Sequence, residues 1–306
     1  MARSPKVTQK RVDDAIDQGY GQGHGEKYKS FLQIKRWNPS PVSTQVRKPI
    51  PPYARPCHFF SHSEWLLALL FAWIGALVRE QFPLWAMRHP HPCYGLNPDR
   101  DSSLRWSSGM LEICRRHGIP HGNFVGTNVL YVWTIDLMLT IPWAKGSPGA
   151  CMVSIKPLES ERYLYIDPLD RGPEKLEAER RYARDLALPY FIGDRTLYPG
   201  DLLGQLELMA NAAILPASHP RWVLLQRFLQ KHGDDLECYP LQETAIRLQK
   251  DFGARKADAD YLLHYCLWHQ IIDADLSRLV DYRRCPTPGG RALKTAIRES
   301  IWRNPQ

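Results

Sequence analysis

Fourteen consecutive residues, Trp65 to Val78, carry no charge, and the run stops at Arg79-Glu80. Crossing a bilayer takes about 20 apolar residues, so a run this short reads as a helix buried in a protein core. The preceding Ser61-His62-Ser63-Glu64 has the form of a capping box, in which Ser and Glu satisfy each other's backbone N–H groups. Together they predict a helix from near residue 62 to near Val78, followed by a strand over REQFPLW (79–85). The chain has 306 residues, enough for one large or two modest domains, each able to bury a core. With 44% hydrophobic and 24% charged residues, disorder and collagen-like structure are excluded. The basic start MARSPKVTQKR has no apolar h-region after it, so the expectation is a cytoplasmic protein with no membrane association. The seven cysteines are scattered, odd in number and in no CxxC pair, which points to reduced thiols.

Charge separates the chain into regions. Residues 1–56 carry 11 basic and 4 acidic side chains, residues 279–306 carry 6 and 2, and the net charge of the whole is +8. The middle is therefore slightly acidic. Basic arms on a nearly neutral body suit nucleic acid, whose phosphates reward Lys and Arg through counterion release, or else only keep the protein soluble.

Residues 1–56 read as a basic N-terminal arm. It holds a short helical stretch (Val12 to Gln18), a Gly-rich turn (GYGQGHG, 19–25) and a Pro-rich connector (39–56) expected to lack regular structure. Residues 57–195 read as an α/β unit. Leu104 to His117 is expected to be helical, and NVLYVWTIDLMLTI (128–141) and ACMVSIKPL (150–158) to be strands joined by a hairpin through Trp143–Pro148. A helix over 174–187 and a closing strand PYFIG (189–193) complete it. Residues 196–285 read as helices only, over 200–215, 219–232, 241–251 and 257–272, and a short hairpin over 271–282 would give this unit winged-helix character. Gly289-Gly290 then releases a basic tail, 286–306, with Leu293, Ala296, Ile297 and Ile301 on one helical face.

Charged residues inside apolar elements carry the chemistry. Asp136 lies within WTIDLMLTI and Lys156 within VSIKPL; a charge in such a strand needs a partner, a metal or the sheet end. Glu64 opens the buried helix, where the capping box alone could account for it. A strand acid, then an x-Lys pair on the next strand, with a Glu on the preceding helix, is the arrangement of metal-dependent nucleases of the restriction-endonuclease type. Carboxylates hold Mg²⁺, and the lysine orients the attacking water and offsets charge on the phosphate. On the residues alone, a buried salt bridge between neighbouring strands explains Asp136 and Lys156 equally well.

At these residues the chain resembles the TnsA family, the endonuclease subunits of heteromeric cut-and-paste transposases. The resemblance runs over nearly the whole chain, through GQGHGEKYKSFL (21–32), SHSEWLLALL, REQFPL (79–84), TIDLML (134–139), SIKP (154–157), EKLEAERRY (174–182) and LLHYCLWHQIIDADL (262–276). It implies a restriction-endonuclease-like N-terminal domain, with a mixed sheet flanked by helices, and a small all-α, winged-helix-like C-terminal domain. It further implies a bacterial protein that cleaves the 5′ strands at transposon ends with Mg²⁺, Mn²⁺ substituting, beside the TnsB transposase and the AAA+ regulator TnsC. Residue by residue, Glu64 matches the helix glutamate, Asp136 the metal-binding aspartate, Lys156 the catalytic lysine, and Glu179 a further acid near the metals. Ser154 departs from the pattern, since the wider class has Asp or Glu there and TnsA has Gln. A serine hydroxyl substitutes poorly for a carboxylate, which shifts coordination to Glu64, Asp136 and the Ile155 carbonyl.

Other residues carry weaker signals. His24, between glycines and near Lys27 and Lys29, is expected to contact DNA or a subunit, the glycines allowing close backbone approach. His89, His91 and Cys93, or Cys114, His117 and His121, have spacings a zinc site could use, but they lie in loop segments without a CxxC. Trp37, Trp65, Trp73, Trp85, Trp133 and Trp143 read as core or sheet cover. The rival readings are a freestanding restriction-type or junction-resolving nuclease, which would cut naked DNA unaided, and a non-catalytic DNA-binding adaptor.

Overall fold

A central four-stranded sheet organises the molecule, seen here in a computed structural model that describes residues 7–35, 44–144, 147–157 and 172–303. Before it come helix α1 (Gln9–Asp17) and a two-stranded ribbon of β1 (Val46–Pro49) and β2 (Pro56–Phe59). Helix α2 (His62–Trp73) leads into β3 (Leu77–Leu84), and after short helices α3 (Pro98–Asp101) and α4 (Met110–Arg116) come β4 (Trp133–Ala144) and β5 (Ser147–Ile155). Helix α5 (Gly172–Asp185) then leads to β6 (Tyr190–Gly193). The order is β3-β4-β5-β6; the first three strands are mutually antiparallel and β6 is parallel to β5. A parallel neighbour requires a crossover, and α5 lies within it. The result is a mixed sheet with helices on both faces.

The Ser61 N-cap forms, while the Glu64 side chain reaches back to Ser61 Oγ and Phe60 N instead of to Ser61 N. Ser61 Oγ accepts from Glu64 N at 3.1 Å and donates to Glu64 Oε1 at 3.0 Å. The helix is shorter than the apolar run predicts, however. It ends at Trp73, Gly75 turns the chain at φ 91°, and Leu77-Val78 already belong to β3. Hydrophobicity alone cannot mark this boundary, because both elements are buried; the left-handed glycine does.

Beyond the sheet, α6 (Gly200–Met209), α7 (Pro220–His232), α8 (Leu241–Phe252) and α9 (Lys256–Trp268) form a helical layer against α2. Trp73 Nε1 donates to the Trp268 carbonyl at 2.8 Å, and one apolar core runs from Val78 and Leu139 through Leu67 and Phe71 to Leu202, Phe228 and Leu262. A second core on the opposite sheet face joins Met110, Met152, Ala178 and Tyr182. Trp65, Trp73 and Trp133 are buried, as core residues should be, whereas Trp37 and the Trp143 side chain lie outside the described residues. No helix among the described residues is long and apolar enough to cross a membrane.

Several local expectations are corrected. The Pro-rich connector does contain regular structure, since Val46–Pro49 pairs with Pro56–Phe59, as an edge ribbon tolerates proline. Of the helix expected over 104–117, only Met110–Arg116 forms: Gly109 at φ 90° packs on the backbone of Ala86 and Met87, where a Cβ would lie 2.5 Å from Ala86 O. Residues 128–132 precede β4 rather than joining it. The hairpin expected over 271–282 is replaced by turns, held where Asp275 Oδ1 accepts from Ser277 and where Gln205 bonds Leu276, Arg278 and Val280.

The C-terminal tail is not released. Helix α10 (Gly290–Arg303) buries Ile297 and Ile301 against the main core, and Lys294 lies over the Trp73 ring at 5.4 Å. Ala296 is exposed. Fully burying an Ile is worth about 1.5–3 kcal/mol. Deleting residues 287–306 is therefore expected to lower the unfolding free energy by about 3 kcal/mol or more, measured in urea, where a free arm would leave it unchanged.

Candidate active site

Asp136 sits mid-strand in β4, where the pairing registers align it with Gln81 of β3 and Ser154 of β5. The flanking partners are Glu80↔Leu137 and Phe82↔Ile135 on one side and Leu137↔Val153 on the other. At this row the strands are irregular. Gln81 has φ 49°, a strained value for a residue with a Cβ. Around it the cores exchange: Val78, Leu137 and Leu139 belong to the first, but Phe82, Leu84, Ile135 and Trp133 to the second. The register is the same on either side of Gln81, so its left-handed backbone re-aims side chains without inserting a residue.

The structure brings Asp136 and Lys156 together. Asp136 Oδ2 accepts from Ile155 N at 2.7 Å and from Lys156 Nζ at 3.0 Å, and the same ammonium donates to the Ile155 carbonyl at 3.0 Å. Lys156 N donates to Gly193 O at 2.9 Å, fixing the end of β5 on β6. Glu64 arrives from the first turn of α2. Its Oε2 accepts from Phe60 N at 3.0 Å and from Gln81 Nε2 at 3.2 Å, while Thr134 Oγ1 donates to Gln81 Oε1 at 3.1 Å. Burial, then the nearby Asp136 charge, pushes the Glu64 carboxyl up to about 7.

From the other face, α5 contributes Glu179, which is almost fully buried. It accepts from Tyr190 Oη at 3.1 Å and lies 3.8 Å from Lys175 Nζ. Burial raises its pKa most, Lys175 opposes this, and Asp136 raises it further. Ser154, also buried, makes no hydrogen bond of good geometry through Oγ, although it lies close enough to Glu179 and Tyr190 to lower the pKa of each. Ser154 thus sets a buried hydroxyl beside a buried acid.

Among the described residues no three His, Cys, Asp or Glu side chains are placed to hold a metal ion. The zinc spacings do not assemble. His89 bonds Met87 O and Tyr182 Oη, His91 Nδ1 accepts from Cys93 N, and His121 stacks on Trp133. The donors around Asp136 nevertheless fit a hard divalent cation in kind. Two carboxylates repel each other, and the Ile155 carbonyl and the buried Ser154 Oγ are further oxygens.

His24, Lys27 and Lys29 lie on the N-terminal arm, elsewhere in the fold. His24 Nε2 bonds Tyr94 O at 2.8 Å, Lys29 Nζ donates to Gln18 O at 2.7 Å, and Lys27 is exposed on the short turn Gly25–Lys27. Gln81 and Tyr190 are additions to the site. The signal for Gln81 was three consecutive polar residues, Arg79-Glu80-Gln81, inside a strand otherwise built for burial.

The Glu64 carboxyl gives a pH prediction. Its pKa is higher folded than the unfolded value of 4.5, so between those values the folded chain binds the extra proton and stability falls as pH rises. From about pH 4.5 to 7 the wild type should lose up to about 3 kcal/mol relative to Glu64→Gln, seen as diverging urea midpoints. Parallel profiles would show that Glu64 titrates normally.

Compared with protein-family models and with curated proteins, the chain matches none.

Proposed function

We propose that this chain is a metal-dependent DNA endonuclease of the TnsA kind, hydrolysing the 5′ strands at transposon ends beside TnsB and TnsC. The observation that carries the reading is the Lys156 ammonium held between Asp136 Oδ2 and the Ile155 carbonyl at the end of β5, with Glu64 delivered by α2. An ammonium so placed can orient a water for in-line attack and offset charge developing on the phosphate. Water adds to phosphorus as the bond to the 3′ oxygen breaks, leaving a 3′-hydroxyl and a 5′-phosphate. Glu64, Asp136 and the Ile155 carbonyl are the groups that would hold Mg²⁺ or Mn²⁺, with Glu179 a further acid nearby, and the ion when bound would neutralise charge and acidify the attacking water. Gln81 donates to Glu64 and so positions it. The mixed sheet is read as a restriction-endonuclease-like core, and the helical layer as a winged-helix-like unit without its β wing. The layer and α10 are assigned to protein partners, TnsC first and DNA second.

The test is reconstitution with TnsB, TnsC and end-bearing DNA in Mg²⁺. New 5′-strand ends that require this subunit support the reading, and cleavage of naked DNA by the subunit alone would move it to a freestanding nuclease. A serine rather than a carboxylate at Ser154 favours one rival, a DNA-binding adaptor without catalysis. It would bind DNA in a salt-dependent way indifferent to Mg²⁺.

A further inference from the structure

A cavity of about 570 Å³ lies between α1, the end of β3 and the loop that follows it, with Val12, Ile16, Phe82, Trp85, Met87 and Arg79 in its wall. The volume is within the range of small-molecule sites, about 300–1,000 Å³. The wall is largely apolar and aromatic but contains one buried guanidinium. Arg79 is 4% exposed, and its hydrogen bonds to protein acceptors run through Nη2 alone, to Pro92 O at 2.8 Å and Thr140 Oγ1 at 3.3 Å. Among the described residues no carboxylate pairs with it; the neighbouring Glu80 is held by Arg55. The guanidinium stacks over Phe82 at 4.6 Å and more distantly over Tyr28 at 6.0 Å.

A buried cation without a counter-charge costs several kcal/mol, and the Arg79 pKa is accordingly drawn down by burial. Nearby imidazoles do not supply the missing anion. His24 and His89 engage Tyr94 O and Tyr182 Oη. Asp13 and Arg88 are at the exposed rim, with Asp13 already bonded to Gln9. Nε and Nη1 of Arg79 are left to an acceptor that enters the cavity, and a guanidinium suits a planar bidentate anion.

We infer that this cavity is a binding site for a small organic anion, an aromatic or otherwise apolar body bearing one carboxylate or phosphate that pairs with Arg79. The site is independent of the nuclease reading, since none of its wall residues belongs to the Asp136 cluster.

The probes are naphthoate and its uncharged isostere naphthamide, titrated calorimetrically into the full chain. A charge-assisted pair is worth about 1.5–3 kcal/mol, or roughly 10–100-fold in affinity. The wild type should bind one naphthoate at least tenfold more tightly than naphthamide, and Arg79→Met should abolish the difference. Should that variant fail to fold, Met87→Glu, at an exposed wall position, should weaken naphthoate about tenfold and leave naphthamide unchanged. Equal affinity for the two probes, binding of neither, or naphthoate binding unaffected by either folded variant would overturn the inference.

Discussion

Replacing Lys156 by alanine is expected to reduce metal-dependent strand cleavage by about 10²–10³-fold, the usual cost of removing one preorganised group that stabilises developing charge. DNA binding should be nearly unchanged, because one ammonium is a small part of a phosphate-contacting surface. The ammonium donates to Asp136 Oδ2 and to the Ile155 carbonyl, and remains 19% exposed at the side chain. Its removal therefore leaves no sealed, unpaired charge, and the fold should survive. A purely structural ion pair would give the opposite pattern, a modest loss of stability with cleavage intact. Reconstituted cleavage and urea unfolding, measured on the same variant, separate the two roles.

The largest stability effect is expected elsewhere, at Glu80→Ala. Glu80 is fully buried and takes a bidentate pair from Arg55, with N–O distances of 2.8 and 2.9 Å, and a further bond from His58 N at 3.4 Å. Arg55 also donates to Gly25 O and stacks over Tyr28 and Tyr53. Deleting one member strands the other, and a broken buried pair costs about 3–5 kcal/mol. Arg55 belongs to the N-terminal arm, so the variant should also loosen that arm. The expected result is a urea midpoint far below that of the wild type, together with early hydrogen exchange at Gly21 to Tyr28. A shift under about 1 kcal/mol would mean that the pair is solvated and the arm independently held.

These two residues also show what the sequence discloses and what it hides. Asp136 and Lys156 stand out because charges rarely occur inside apolar strands, and the structure places them in contact. The start of α2 is legible for a similarly local reason, since the capping-box pattern is complete within four residues. Its end is not, because helix and strand are both buried and one glycine separates them. Arg55 and Lys29 read as positive charge available to DNA, but their partners, Glu80 and the Gln18 carbonyl, lie 25 and 11 residues away. Only the folded chain reveals that these cations are already engaged. Gln81 was hidden differently. Its role depends on a left-handed backbone within a strand and on alignment with a residue more than fifty positions later. The apolar face of residues 293–301 was readable, whereas its packing on Trp73 and the main core was not, because amphipathicity does not identify a partner.

The central claim is that Glu64 and Asp136 form a site for a divalent cation, and metal binding tests it without requiring TnsB or TnsC. Mn²⁺ should be titrated calorimetrically into the wild type and Asp136→Ala at fixed pH and without DNA. The account predicts saturable binding to the wild type that is lost in the variant, with protons released as Glu64 ionises. Equal binding to both proteins, or to neither, would contradict a metal site at Asp136 and leave the DNA-binding adaptor as the better description.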